Sequence, residues 1–232
     1  LSSPTSVSPL PVTVMFSESV QDFTAQSIHC EGGTVSNLLS LSPSHFHFEV
    51  TPNNSTVLLS CHIPTNATKD LAGNFLTHIS EPLSNGKLVT SSAKNGYGGV
   101  NLLQILYDSA RPVITSLTTE GDAAGSPLNA QLITVIATFS DPVFGFEKSD
   151  VVVTGGEART FALADDTQRV YRFEIAPREV LGTVTVTIPE NVCNDRASNG
   201  NVASAPLSLS VDSIPPTCIL STDVPSPSRV TP

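Results

Sequence analysis

The chain has 232 residues with 11 basic and 21 acidic side chains, a formal net charge of −10 at pH 7. It carries no basic stripe with interleaved aromatics, which argues against nucleic acid as a partner, and no apolar run nears the roughly 20 residues of a membrane span. A hydrophobic fraction of 39% suffices for buried cores; its lean to Val, Ile and Leu, with many Ser and Thr and 18 prolines, predicts an all-β chain of short strands and turns. The chain opens at Leu1 without an initiator Met and stops at Pro232. Both ends read as cuts in a longer protein, so the missing signal peptide says nothing of compartment.

The first segment with a pattern is Phe16-Ser17-Glu18-Ser19-Val20 with Phe23, followed by Cys30 in an expected strand and the pair Gly32-Gly33. Phe46, Phe48 and Val50 then alternate with polar neighbours, the period of a half-buried strand. His45 and His47 fall on its other face. Two histidines there have the chemistry for a metal, but solvent exposure opposite a core of Phe46 and Phe48 is the plainer account. Cys61 lies in the next strand, and Ile63-Pro64, Asn66, Asp70, Ala72 and Asn74 mark the loop after it. Asn-x-Ser/Thr sequons stand at Asn53, Asn54 (overlapping) and Asn66, all in expected turns, as candidates for glycosylation in a secreted protein. A Ser-, Asn- and Gly-rich stretch at 82–99 precedes the last strand. Lys87 and Tyr97 make it a candidate binding loop; a tolerated surface insertion is the duller alternative. Tyr107-Asp108-Ser109 with Pro112 closes the unit.

From there the series is written again. Strands are expected near 113–118, 131–139, 150–154, 158–163, 169–175, 183–188 and 202–211. Phe139-Ser140-Asp141-Pro142-Val143 with Phe146 repeats the first motif, Gly155-Gly156 the glycine pair, and Tyr171, Phe173 and Ile175 the aromatic strand. Ile188-Pro189, Asn191, Asp195, Ala197 and Asn199 repeat the loop, and Val211-Asp212-Ser213 with Pro216 the close. Short strands at this spacing suit tandem immunoglobulin-like sandwiches: repeat one at 1–108, repeat two at 109–214, and the first strand of a third at 215–232.

The repeat places Cys30 on Val153 and Cys61 on Val186, in strands that neighbour each other in one sheet. A cross-strand disulfide is expected, with two buried thiols as the alternative. Cys193, in the last loop, and Cys218, which aligns with Ile114 in the next first strand, stand about one sandwich apart. They are not expected to pair, since a disulfide needs Cα atoms within about 7 Å.

The Phe-Ser-Asp-Pro-Val motif at 139–143, the strand and glycine pair at 150–156, the Ile-Pro…Asp…Asn-Gly-Asn stretch at 188–201 and Val-Asp-Ser-Ile-Pro-Pro-Thr at 211–217 resemble the bacterial Ig-like domain. That module is strung in tandem in large bacterial adhesins and has similar copies in eukaryotic surface proteins. Repeat one departs from the pattern at Glu18-Ser19, where the family favours an acid followed by Pro, and in its insertion. The resemblance implies a fold and an extracellular or cell-surface setting, not a ligand.

No Gly-x-Ser-x-Gly elbow, phosphate loop or His-Glu-x-x-His helix is present, and His29, His45, His47, His62 and His78 all lie in repeat one, so no enzyme is expected. In an Ig-like sandwich the loop after the second strand and the loop before the last share one end, which also receives the preceding unit. Asp108, Asp141 and Asp195, with Asn199 nearby, therefore converge at the joint, a set of oxygen ligands suited to Ca²⁺. Interdomain calcium in some tandem Ig-like adhesins points the same way. The plainer account is that these residues make turns. Glu18, Asp70 and Asn74 take the corresponding places before repeat one, and Asp212 after repeat two.

The expectation is a semi-rigid extracellular spacer whose linkers, through Asp108, Pro112, Asp212, Pro215 and Pro216, limit bending. Its partners are neighbouring repeats, with other copies or a surface protein or glycan as candidates. The rival readings are a filament building block, a carbohydrate- or protein-binding module using the insertion, and an accessory domain of a secreted enzyme.

Overall fold

The computed structural model describes residues 3–77, 102–121, 127–129 and 131–221. The segment 82–99, with Lys87 and Tyr97, lies outside the described residues, as does His78. The first half carries β1 (Leu10–Met15), β2 (Val20–Gln21), β3 (His29–Glu31), β4 (Gly33–Ser42), β5 (His45–Pro52), β6 (Thr56–His62), β7 (Lys69–Asp70) and β8 (Leu102–Asp108). The second carries β9 (Ile114–Thr119), β10 (Ile133–Phe139), β11 (Val152–Thr154), β12 (Gly156–Leu163), β13 (Val170–Pro177), β14 (Leu181–Thr187) and β15 (Leu207–Asp212).

In the second half, a four-stranded sheet ordered β12-β13-β10-β9 faces a three-stranded sheet ordered β11-β14-β15. These are the ABED and CFG sheets of an immunoglobulin sandwich. The first half has β1-β5-β4 and β3-β6-β8 in the same roles, plus the short pair β2-β7. In each half a segment ahead of the second strand also bridges the last strand in parallel, Thr5 to Tyr107 and Leu128 to Val211.

Side-chain alternation explains why these stretches are strands. Ile133, Val135, Ala137 and Phe139 are buried along β10 while the residues between them are half-exposed. Phe46, Phe48 and Val50 do the same along β5, and Val184 and Val186 along β14. The glycine pairs mark where the chain crosses from one sheet to the other. Gly32 (φ +81°) and Gly155 (φ +77°) sit in the left-handed region, and a side chain at either would meet the facing strand's carbonyl, Leu58 O or Thr183 O.

Each half encloses its own core, and the two cores share no residue. The repeated Phe motifs build the same aromatic trio in both. Phe16, Phe23 and Phe46 meet edge-to-face at 4.8–5.8 Å, and Phe139, Phe146 and Tyr171 do so at 5.0–5.8 Å. Such pairs add about 0.5–1.5 kcal/mol beyond their area. One boundary differs from expectation. The last strand starts at Leu207, not near 202. Val202 N–H is spent on Pro112 O and Ser204 N–H on Ile188 O, while Ser204 Oγ accepts from Ile188 N–H, so these two backbone donors are taken before a ladder can form.

Candidate functional site

The loops expected at one end do meet there. In the first half β2 pairs with β7, and in the second Phe144 bridges Asn194, joining the loop after the second strand to the loop before the last. Asp195 and Asn199 close the latter loop on itself. Asn199 donates its backbone N–H to Asp195 Oδ1 (2.9 Å) and its Nδ2 to Asp195 Oδ2 (2.9 Å), while Asp195 N–H returns to Asn199 O (3.1 Å). Asp70 and Asn74 repeat the closure at 2.8, 2.7 and 2.9 Å. The Asn74 side-chain amide, then its backbone N–H, holds the Asp70 carboxyl below the usual carboxylate range. That contribution to stability is therefore present above the ordinary carboxylate pKa and lost as pH falls through the lowered one.

The linker fastens onto the second-half loop. Asn199 Nδ2 also donates to Asp108 O (3.0 Å), and Ser6 Oγ donates to Ala197 O (2.9 Å). Arg111 spreads over the same loop: its Nε donates to Gly200 O (2.8 Å), and its Nη2 to Asn201 O (2.7 Å), Asn191 Oδ1 (2.8 Å) and Glu190 Oε2 (3.2 Å). Val202 N–H donates to Pro112 O (2.8 Å). The planar guanidinium matches a ring of acceptors in a way a lysine could not.

Asn201 holds that ring in shape. It is 0% exposed and fully satisfied, Oδ1 accepting from Val192 and Cys193 N–H and Nδ2 donating to Pro189 and Val202 carbonyls. Sequence reasoning missed Arg111, Asn201 and Ser6. The available signal was comparison between repeats: Arg111 aligns with Pro215 and Asn201 with Leu76.

The expected ion ligands are engaged otherwise. Asp108 Oδ1 accepts from Thr56 Oγ1 and Ala110 N–H (both 3.0 Å), and Asp141 Oδ2 accepts from Ser140 Oγ (2.7 Å), which itself accepts from Val113 N–H (3.0 Å). Asp212 Oδ1 likewise accepts from Ile214 N–H (3.0 Å). Among the described residues no three His, Cys, Asp or Glu side chains come together to hold a metal. The carboxylates are turn-makers bonded to nearby N–H and O–H donors, the arrangement of a hydrogen-bonded joint.

Cys30 and Cys61, Cα partners across β3 and β6, form a disulfide with Cα atoms 4.0 Å apart. Cys193 and Cys218 are both free. Burial, first, and the nearby Asp150 charge push the Cys193 thiol up to about 12, whereas Cys218 is exposed. Thiolate is the reactive form, so iodoacetamide at neutral pH is expected to label Cys218 and spare Cys193, read by mass spectrometry before and after unfolding. His45 Nδ1 faces the Ser42 and Ser44 hydroxyls, and His29 stacks on His62 with ring centres 5.4 Å apart. Burial and then His29 lower the His62 pKa. Asn53, Asn54 and Asn66 are exposed, while Thr68 of the Asn66 sequon is buried and bonded to Gln21 O.

Two sandwiches of immunoglobulin topology, joined by a short hydrogen-bonded linker, define a tandem Ig-like protein. The family model described as bacterial Ig-like domain matches residues 4–86 and 108–211, and the chain belongs to that family. No curated protein matches. Among solved structures, the chain is similar to FdeC, an Escherichia coli adhesin, at 14% identity and a TM-score of 0.41, over 84% of this chain and 53% of that one. The chain thus spans about half the length of that relative.

Proposed function

We propose that this chain is a non-enzymatic extracellular adhesion module, a spacer of two Ig-like repeats, 1–108 and 109–214, held semi-rigid by the joint between them. Membership of a family built for tandem array and the Cys30–Cys61 disulfide support an oxidising, extracellular setting. The observation that carries the spacer reading is the Arg111 fan with the Asn199 bond to Asp108 O. Together these tie the linker at Asp108 and Arg111, ahead of Pro112, to the 190–201 loop with directional bonds instead of leaving it a swivel. A spacer that resists bending keeps a distant binding region away from the surface that anchors it.

Arg111→Ala tests it. The bonds are partly exposed and the ion pair to Glu190 is a surface pair (3.2 Å), so sandwich stability should change by less than about 1 kcal/mol. Spin labels placed on the two sandwiches should report a broader distance distribution in the variant, and broader still with Asn199→Ala. An unchanged distribution in the double variant removes the stiffening role.

The joint works without an ion in this reading. Melting midpoints should be the same in millimolar calcium and in chelator. A calcium-dependent rise that vanishes in Asp195→Asn would return the ion to the joint.

A further inference from the structure

Away from the joint, His29 on β3 and His62 on β6 are Cα partners, directly opposite each other in an antiparallel ladder. Side chains so placed start about 4.5–5.5 Å apart at Cβ. The two imidazoles stack with ring centres 5.4 Å apart and planes 19° from parallel. His29 is exposed and His62 half-buried.

A covalent crosslink fixes the frame beneath them. Cys30 follows His29 and Cys61 precedes His62, and the disulfide between these cysteines packs on the core side. Strand alternation therefore puts both imidazoles on the outward face, beside a crosslink that holds their strands in register. The fold itself does not ask for histidine at this place. In the second sandwich the same positions are Val152 and Thr187, again Cα partners, and that half carries no histidine.

Two imidazoles in this relation suit a divalent ion of borderline softness. Zn–N bonds run about 2.0–2.1 Å, so a tetrahedral ion held by one nitrogen of each ring sets the ring centres about 5 Å apart. The observed 5.4 Å is close to that spacing. What remains is a turn of the rings about χ2, a soft torsion in histidine, to aim both lone pairs at one point. Each ring spends one nitrogen on the ion and keeps the other for a neighbouring group, the usual second partner of a ligating histidine. Glu31, two residues along β3 from His29, adds a negative charge that reaches His62 and favours a cation there. His45 and His47 differ. They are alternate residues of one strand, and His45 Nδ1 is turned to the Ser42 and Ser44 hydroxyls.

We propose that His29 and His62 chelate a divalent transition-metal ion, Zn²⁺, Ni²⁺ or Cu²⁺, with water completing its shell. Ca²⁺ and Mg²⁺, which take oxygen ligands, are not expected at this place. The ion ties β3 to β6 a second time and stabilises the first sandwich by binding its folded form. No residue of the joint takes part, so this site and the spacer reading stand or fall separately.

Calorimetry of the oxidised 232-residue chain, in Zn²⁺ or Ni²⁺ against chelator, is the test. In millimolar metal the transition of the first sandwich should rise by on the order of 5 °C, with the second unmoved. Isothermal titration should show binding weakened at least about tenfold by His29→Gln or His62→Gln, since each leaves a single imidazole. Circular dichroism should show both variants folded. His45→Gln with His47→Gln should leave binding intact. A first transition indifferent to both ions, a rise that survives His29→Gln with His62→Gln, or binding lost with the His45 and His47 changes overturns the proposal.

Discussion

Phe173→Ala is expected to cost the second sandwich about 3–5 kcal/mol and the first nothing. Phe173 is 0% exposed in the middle of β13, paired with Val135 of β10 on one side and Phe161 of β12 on the other, its ring stacked on Phe161 with centres 6.3 Å apart. Truncation removes that contact area and leaves a cavity that strands fixed on both sides cannot collapse to fill. The two cores have no residue in common, and the contacts across the joint are polar and few. Calorimetry should therefore resolve two transitions and move one of them down by on the order of 15 °C. Equal shifts in both would mean that the sandwiches unfold as one unit.

Replacing Cys30 and Cys61 together with Ala should have the converse selectivity. The bond closes a loop between residues 31 apart in sequence, and losing such a constraint on the unfolded chain costs about 3–4 kcal/mol. At the equivalent place the second sandwich has Val153 opposite Val186, and Val186 is fully buried. Reductant alone should reproduce the loss, lowering the first transition and leaving the second where it was. A second transition that also falls would place a disulfide at Cys193 or Cys218.

The joint divides into parts that could and could not be read from the chain. Asp195 and Asn199 were legible as loop-tip residues near Asp108, because the repeat fixed which loops share an end. Whether their oxygens face a cation or an amide was not legible, since Asp and Asn serve both with the same spacing. Arg111 was passed over because a single arginine in a linker has no pattern. Its role appears only when the 190–201 loop folds back and presents four acceptors to it.

By itself the sequence determined the all-β class, the repeat and most of the strands, and it put Cys30 and Cys61 on neighbouring strands, where a bridge or two buried thiols would both fit; the structure has the bridge. Side-chain alternation is local, and a repeated series of motifs places the same residues in the same strands twice. Tertiary structure alone decided which hydrogen bonds lock the linker. They depend on where donors and acceptors from distant segments end up, and every residue but proline carries the same backbone groups whatever its side chain.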